Sequence, residues 1–148
     1  VRGGCGYIEE WSDARLLRDA HLGSIWEGTS NIVALDVLRA ISKEAALDAL
    51  PFDDPSFRRA AGFARKAGEQ DARRAATGLY YAVAAAIMKG EGEKLAQAGD
   101  ARRLLLARLV EQHRLSVRDP LEASDCPFAE ALLSEEKIPL EQARSWLN

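Results

Sequence analysis

The stretch TSNIVALDVLRAI, residues 29–41, decides the fold class of this chain. Its apolar residues recur at every fourth position, which places them on one face of an α-helix: Val33, Val37 and Ile41. Three short polar residues at its start are suited to cap the first helical turn: Thr29, Ser30 and Asn31. We therefore predict a long amphipathic helix that ends near Leu50.

On either side of this stretch, helix-favouring residues predominate and β-branched runs are nearly absent. A short helix is predicted from Ser12 or Asp13 to Ala20, followed by a connection over residues 21–28. Asp54-Pro55 is typical of a helix start, because proline suits the first helical position. That helical stretch is expected to break near Gly68 and to end before Lys89-Gly90.

The last third of the chain predicts three further helices. One begins at Asp100 and stops at Asp119-Pro120, since the residue before a proline disfavours helix. Two short helices follow, at Pro127 and at Pro139. Substantial helices joined by short connections favour neighbours that run in opposite directions. The predicted fold is all-α, an antiparallel helical bundle with short C-terminal helices, forming a single domain over residues 1–148.

Composition excludes several classes of protein. The chain has 148 residues, 47% hydrophobic and 29% charged, which is typical of a domain with one sizeable core and excludes a disordered chain. Its formal charge is −3, which excludes a uniformly basic nucleic-acid binder. The longest apolar stretch, residues 79–88, is too short to span a bilayer. The chain opens at Val1 with no signal-peptide pattern, and we interpret it as a C-terminal fragment of a larger cytoplasmic protein.

The residues that commonly bind metals or act as nucleophiles carry little signal. His21 and His113 have no ligand partner at helical spacing, so no metal site is predicted. Cys5 and Cys126 could form at most one bridge, and we expect both thiols to be inert in a reducing compartment.

The segment IWEGTS, residues 25–30, carries the strongest chemical signal. Glu27 precedes a helix whose free N–H groups favour negative charge. In one interpretation Glu27 and Ser30 are cap residues and Trp26 belongs to the core. In the other, Glu27 beside an apolar tryptophan is a desolvated base with a raised pKa.

Three blocks in this order resemble the C-terminal signature of flavin-dependent acyl-CoA dehydrogenases. They are GGCGY at residues 3–7, RLLRDA at residues 15–20 and IWEGTS at residues 25–30. Asn31 and LDVLR at residues 35–39 look most similar to the AidB-like, adaptive-response branch. Residues 1–50 are thus a family-signature segment, and residues 51–148 form a helical extension.

The resemblance implies an oxidoreductase of fatty acid metabolism that binds FAD and acyl-CoA and forms a homo-oligomer. By analogy, Glu27 removes the α-proton of the acyl thioester while hydride passes to the flavin. The implied substrate-binding residues are Trp26, Gly28 and Arg39. The implied FAD-binding residues are Gly3, Gly4, Gly6, Thr29, Ser30 and Asn31. The fragment alone is expected to be inactive, because it lacks the other domains of such an enzyme.

A second hypothesis is a helical module that binds DNA or assembles subunits. Residues 51–118 carry 13 basic and 8 acidic side chains, an excess of +5. The cations considered for a DNA-facing side are Arg58, Arg59, Arg65, Lys66, Arg73, Arg74, Arg102, Arg103 and Arg108. Tyr80 and Tyr81 are predicted to be core residues, and Arg15 and Arg18 are predicted to form ion pairs with Asp19.

Overall fold

The computed structural model of the chain describes residue 6 and residues 8–10, 12–26, 28–117 and 126–147. Regular structure in these ranges is entirely helical, which confirms the all-α prediction. The α-helices are α1 (Ser12–Trp26), α2 (Ser30–Glu44), α3 (Pro55–Ala64), α4 (Ala72–Gln97), α5 (Arg102–Val110), α6 (Ala129–Leu133) and α7 (Leu140–Leu147). No described helix is long and apolar enough to cross a membrane.

Helix α4 is the centre of the bundle and packs against α2, α3 and α5. Helix α5 runs antiparallel to it, since Gly92 of α4 faces Leu104 near the start of α5, while Lys89 reaches Glu111 just beyond its end. Helix α3 is antiparallel to α4 as well, because Lys89 also contacts the N-cap residue Asp54. These contacts confirm the antiparallel bundle.

Two apolar clusters hold the chain together. The first joins α2, α3 and α4 around the buried residues Leu47, Phe57, Ala61, Ala64, Ala75, Leu79 and Ala82. The second joins the end of α4 to α5 and the C-terminal helices around Ala96, Ala101, Leu105, Phe128, Ile138 and Ala143. Alanine supplies four of the seven buried residues of the first cluster and three of the six of the second, and its small side chain allows helix backbones to approach closely.

Several helix starts agree with the sequence. Asp54 caps α3, its Oδ1 accepting from the N–H groups of Ser56 at 2.8 Å and Phe57 at 3.3 Å. The predicted break near Gly68 falls between α3 and α4. Asp100 Oδ1 accepts from the N–H of Arg102 at the start of α5 at 3.1 Å. The two short C-terminal helices are present as α6 and α7, and the predicted stop at Asp119-Pro120 lies outside the described residues.

The predicted ends of the first two helices were wrong. Helix α1 continues past Ala20 to Trp26, so residues 21–26 are helix and not a connection. Gly28, which precedes α2, has a φ of +88°. Helix α2 stops at Glu44 because Ala45 adopts a left-handed conformation, with φ of 51°, and its N–H donates back to Ala40. A 3₁₀ turn, Ala46–Ala49, then covers the stretch predicted as the last part of this helix.

Helix α4 does not end before Lys89-Gly90, as predicted, but continues to Gln97. A glycine inside a helix costs only about 1 kcal/mol, which tertiary packing can offset. Gly92 is buried against α5: a Cβ atom there would lie 2.8 Å from Leu104 Cδ2 and 3.0 Å from the Leu104 backbone nitrogen. The close approach of α5 therefore explains why the helix continues through this glycine.

Lys89 joins α3, α4 and the end of α5 in one charged network. Its Nζ donates to Asp54 Oδ2 at 2.7 Å and to Glu111 Oε1 at 2.8 Å, and Ser56 Oγ also donates to Glu111 at 2.5 Å. Desolvation by burial raises the pKa of Asp54, but the hydrogen bonds and charge of Lys89 outweigh it, so the net pKa is lowered. Desolvation likewise lowers the pKa of Lys89, and its two carboxylate partners reverse that effect and raise it.

The helical path of α5 ends in a π turn, Glu111–Leu115. Arg114 from this turn lies over the ring of Tyr81, 5.4 Å from its centroid. Tyr81 is half-buried, whereas Tyr80 is 68% exposed, so the prediction of a core residue was wrong for Tyr80. The two rings meet edge to face on the surface of α4, where the phenol of Tyr80 remains in water.

Candidate functional site

The turn between α1 and α2 contains the described end of the IWEGTS block. Gly28 has a φ of +88°, a left-handed conformation that glycine adopts without a steric penalty. Thr29 follows as the extended N-cap residue of α2, and its carbonyl accepts the first helical bond, from Val33 N–H at 3.1 Å. The Thr29 side chain makes no capping hydrogen bond, although a side-chain cap was predicted from this trio of polar residues.

This turn borders a cavity of about 380 Å³ between α2 and α4, which we call the signature cavity. The cavity is lined by Gly23, Gly28, Ser30, Val33, Ala34, Arg73, Ala76 and Thr77. Its volume is at the lower end of the range for small-molecule sites. At this cavity the first turn of α2 meets the first two turns of α4. Helix α4 lies outside the signature segment, residues 1–50.

The structure brings only part of the predicted site together. Gly28 and Ser30 line the signature cavity. Their sequence neighbours Thr29 and Asn31 are exposed to solvent. Gly6 is half-buried and does not line this cavity. Outside the described residues lie Glu27, Gly3, Gly4 and the side chain of Trp26.

Arg39 lies away from this group. It lines a different cavity of about 500 Å³, between the C-terminal half of α2 and the loop after α3. Its guanidinium contacts Asp36 Oδ1 at 2.7 Å in an exposed pair on α2. The nine residues from Ser30 to Arg39 span about 13 Å of helix, and the two residues line different cavities.

The predicted ion pairs of the signature segment are partly present. Arg15 pairs with Asp19 at 3.6 Å, as predicted. Arg18 pairs instead with Glu9, through both of its terminal nitrogens. This bidentate contact ties α1 to the residues that precede it.

Most cations considered for a DNA-facing side have partners within the fold. Arg58 pairs with Asp53, Arg65 with Asp48 and Arg103 with Glu91. Three others have uncharged partners: Arg59 donates to the Leu115 carbonyl, Arg74 lies over Phe63, and Arg102 donates to the carbonyls of Ala131, Leu132 and Glu136. The three carboxylate pairs reduce the positive charge that the bundle can offer to a phosphate backbone, and the other three contacts engage the guanidinium donors or ring faces without removing charge.

Arg73 and Thr77 are site residues that the sequence did not indicate. Arg73 was considered only as one cation among many, and Thr77 was not singled out. Both belong to α4, and no motif links them to the α1–α2 turn. Only the packing of α2 on α4 brings them to the signature cavity.

Comparison with known proteins identifies the segment that contains this turn. Residues 1–42 match the family model described as acyl-CoA dehydrogenase, C-terminal domain. This confirms the resemblance. The match includes α1 and most of α2, and the helices from α3 onward lie beyond it.

Two curated relatives match the same part of the chain. "Putative acyl-CoA dehydrogenase AidB" of Escherichia coli (strain K12) is 51% identical over 47 residues, which are 32% of this chain and 9% of that protein. "Acyl-CoA dehydrogenase family member 11" of Caenorhabditis elegans is 55% identical over 40 residues, 27% of this chain and 6% of that protein. The matched segment is thus a small fraction of each relative's length. No solved structure matches the chain.

Proposed function

We propose that this chain is the C-terminal helical part of an FAD-dependent acyl-CoA dehydrogenase of the AidB-like branch. The observation that carries the proposal is the family match over residues 1–42, which includes the whole turn from α1 to α2. Both curated relatives are named as acyl-CoA dehydrogenases or as members of that family.

The arrangement of the turn is compatible with FAD and acyl-CoA as ligands. The lining of the signature cavity combines small side chains with the Ser30 and Thr77 hydroxyls and the Arg73 guanidinium, and no described carboxylate contributes to it. Such a lining suits the polar, phosphate-bearing part of a cofactor. We assign cofactor contacts to Thr29, Ser30 and Asn31 and to the glycines Gly3, Gly4 and Gly6.

In the proposed reaction Glu27 takes the α-proton of the acyl thioester. That proton is weakly acidic, so the base must be desolvated and held close to the α-carbon. Trp26 would exclude water from this position, and Gly28 would let the backbone approach the substrate. FAD, when bound, supplies the acceptor for the hydride that leaves the β-carbon.

The segment by itself is too small a part of such an enzyme to hold the whole cofactor. The matched region is 9% of one curated relative and 6% of the other. We therefore propose that the isolated chain has no dehydrogenase turnover, and that activity requires the remaining domains and a homo-oligomeric assembly. The DNA-binding alternative is less favoured, because most of its arginines are bound within the fold.

The test is Glu27→Gln in the full-length parent enzyme. We expect flavin to remain bound while thioester-dependent bleaching of its absorbance is lost, because glutamine cannot accept the proton. Glu44→Gln is the matched control, since Glu44 is the exposed last residue of α2. Normal bleaching in the Glu27 variant would place the base on another residue.

A further inference from the structure

Among the cavities that contain a cation, the signature cavity differs from the others in its charge. The cavity beside Arg39 includes Asp48 and Glu69, and the two cavities beside Lys89 include several carboxylates. In the signature cavity, the only charged side chain contributed by the described residues is Arg73. The positive charge that the described residues place at this cavity therefore comes from Arg73.

Arg73 also differs from the arginines near it. Arg65 is paired with Asp48 at 2.8 Å, and Arg74 lies over Phe63 at 4.9 Å from the ring centroid. No ion pair or hydrogen bond to the Arg73 guanidinium occurs within the described ranges, and the residue is exposed at the cavity. Its donors are thus available to a ligand.

We infer that Arg73, together with the hydroxyls of Ser30 and Thr77, binds a phosphoryl group of a ligand at the signature cavity. The three side chains come from the first turns of α2 and α4, so they approach the ligand from two helices. A guanidinium presents a planar set of donors that matches two oxygens of a phosphate at once.

The inference deepens the proposed function and rests on it, because it takes the ligand to be a phosphate-bearing cofactor or substrate. It adds a residue that the family match does not include, since Arg73 lies beyond residues 1–42. The cavity of about 380 Å³ admits one group of a larger cofactor, such as its diphosphate. The helical extension therefore contributes directly to ligand binding.

The test is titration of this chain with inorganic pyrophosphate, followed by amide chemical shifts in NMR spectra. We expect the Gly28 and Ser30 amides to shift on binding, and Arg73→Gln to weaken the affinity about tenfold, or about 1.4 kcal/mol. Arg65→Gln is the matched control, because it removes the same charge from a residue that lines another cavity. It should leave the affinity unchanged.

Three results would overturn the inference: undetectable binding at millimolar pyrophosphate, shifts confined to other helices, or equal affinity in the Arg73 variant. Separate titrations with FAD and coenzyme A show which diphosphate the cavity prefers, and Arg73-dependent binding of either supports the site. The proposed function fails independently. If the parent enzyme lacks thioester-dependent bleaching while pyrophosphate binding depends on Arg73, the anion site stands and the dehydrogenase assignment falls.

Discussion

Two glycines that lie two residues apart in α4 offer a sharp test of how the bundle packs. Gly90 is exposed, and a Cβ atom added there would have no heavy atom within 4 Å. Gly92 is buried, and its Cβ would lie 2.8 Å from Leu104 Cδ2 and 3.0 Å from the Leu104 backbone nitrogen. Alanine at the two positions should therefore change the stability in opposite directions.

The magnitudes follow from helix propensity and overpacking. Alanine is favoured over glycine inside a helix by about 1 kcal/mol, so Gly90→Ala should raise the free energy of unfolding by up to that amount. Gly92→Ala gains the same stabilisation from the higher helix propensity of alanine. It must also displace the α5 backbone by a few tenths of an ångström, and overpacking costs about 1–3 kcal/mol. We expect the two variants to differ by about 2 kcal/mol.

Urea unfolding followed by circular dichroism measures this difference directly. By thermal unfolding, about 2 kcal/mol corresponds to a separation of about 4–8 °C in Tm for a domain of this size. If the Gly92→Ala variant is as stable as the Gly90→Ala variant, the helices α4 and α5 do not pack as closely at Leu104 as the structure indicates.

Two further predictions concern the charged network. Lys89→Met should lower the free energy of unfolding by about 2 kcal/mol, because it leaves two partly buried carboxylates, Asp54 and Glu111, without their cation. Arg103→Met, from the exposed pair with Glu91, should change it by less than about 0.5 kcal/mol in the same urea assay. The pKa of Asp54 is lowered in the folded protein, so its carboxylate stabilises the fold at neutral pH. This stabilisation is lost as the pH falls through the ordinary value of 3.8 and below. Asp54→Asn keeps an oxygen that can cap α3 but has no carboxylate, so the free energy of unfolding should depend less on pH in this range. An unchanged pH dependence of the free energy of unfolding would contradict this prediction.

Sequence reasoning located helix starts better than helix ends. Asp54 and Asp100 were found because a capping side chain and the N–H groups that it satisfies lie within a few residues. The end of α1 was misplaced because residues 21–28 were interpreted as a connection, and the end of α4 because Lys89-Gly90 was interpreted as a break; Gly23 and Gly90 both remain inside helices. A glycine ends a helix only where the surrounding packing does not sustain it.

The residues of the candidate site were also predicted only in part from the sequence. The signature blocks predicted the likeness of the first 42 residues to the acyl-CoA dehydrogenase C-terminal domain, and Gly28 and Ser30 do line a common cavity. Arg39 was grouped with them because the family resemblance implies it, and it lines another cavity. Helical spacing gives the face of one helix but not the helix that packs against it. Arg73 could not be assigned to the site for the same reason.

The sequence by itself determined the helical class of this protein, the capping roles of Asp54 and Asp100 and the likeness to acyl-CoA dehydrogenases. These depend on residues that are close along the chain, where a side chain, its spacing and its backbone bonds form one local unit. The tertiary structure decided which helices cross at Gly92, which carboxylates surround Lys89 and which cation reaches the signature cavity. Those contacts join residues far apart in sequence, and only the packing of alanine-rich helix faces brings them together.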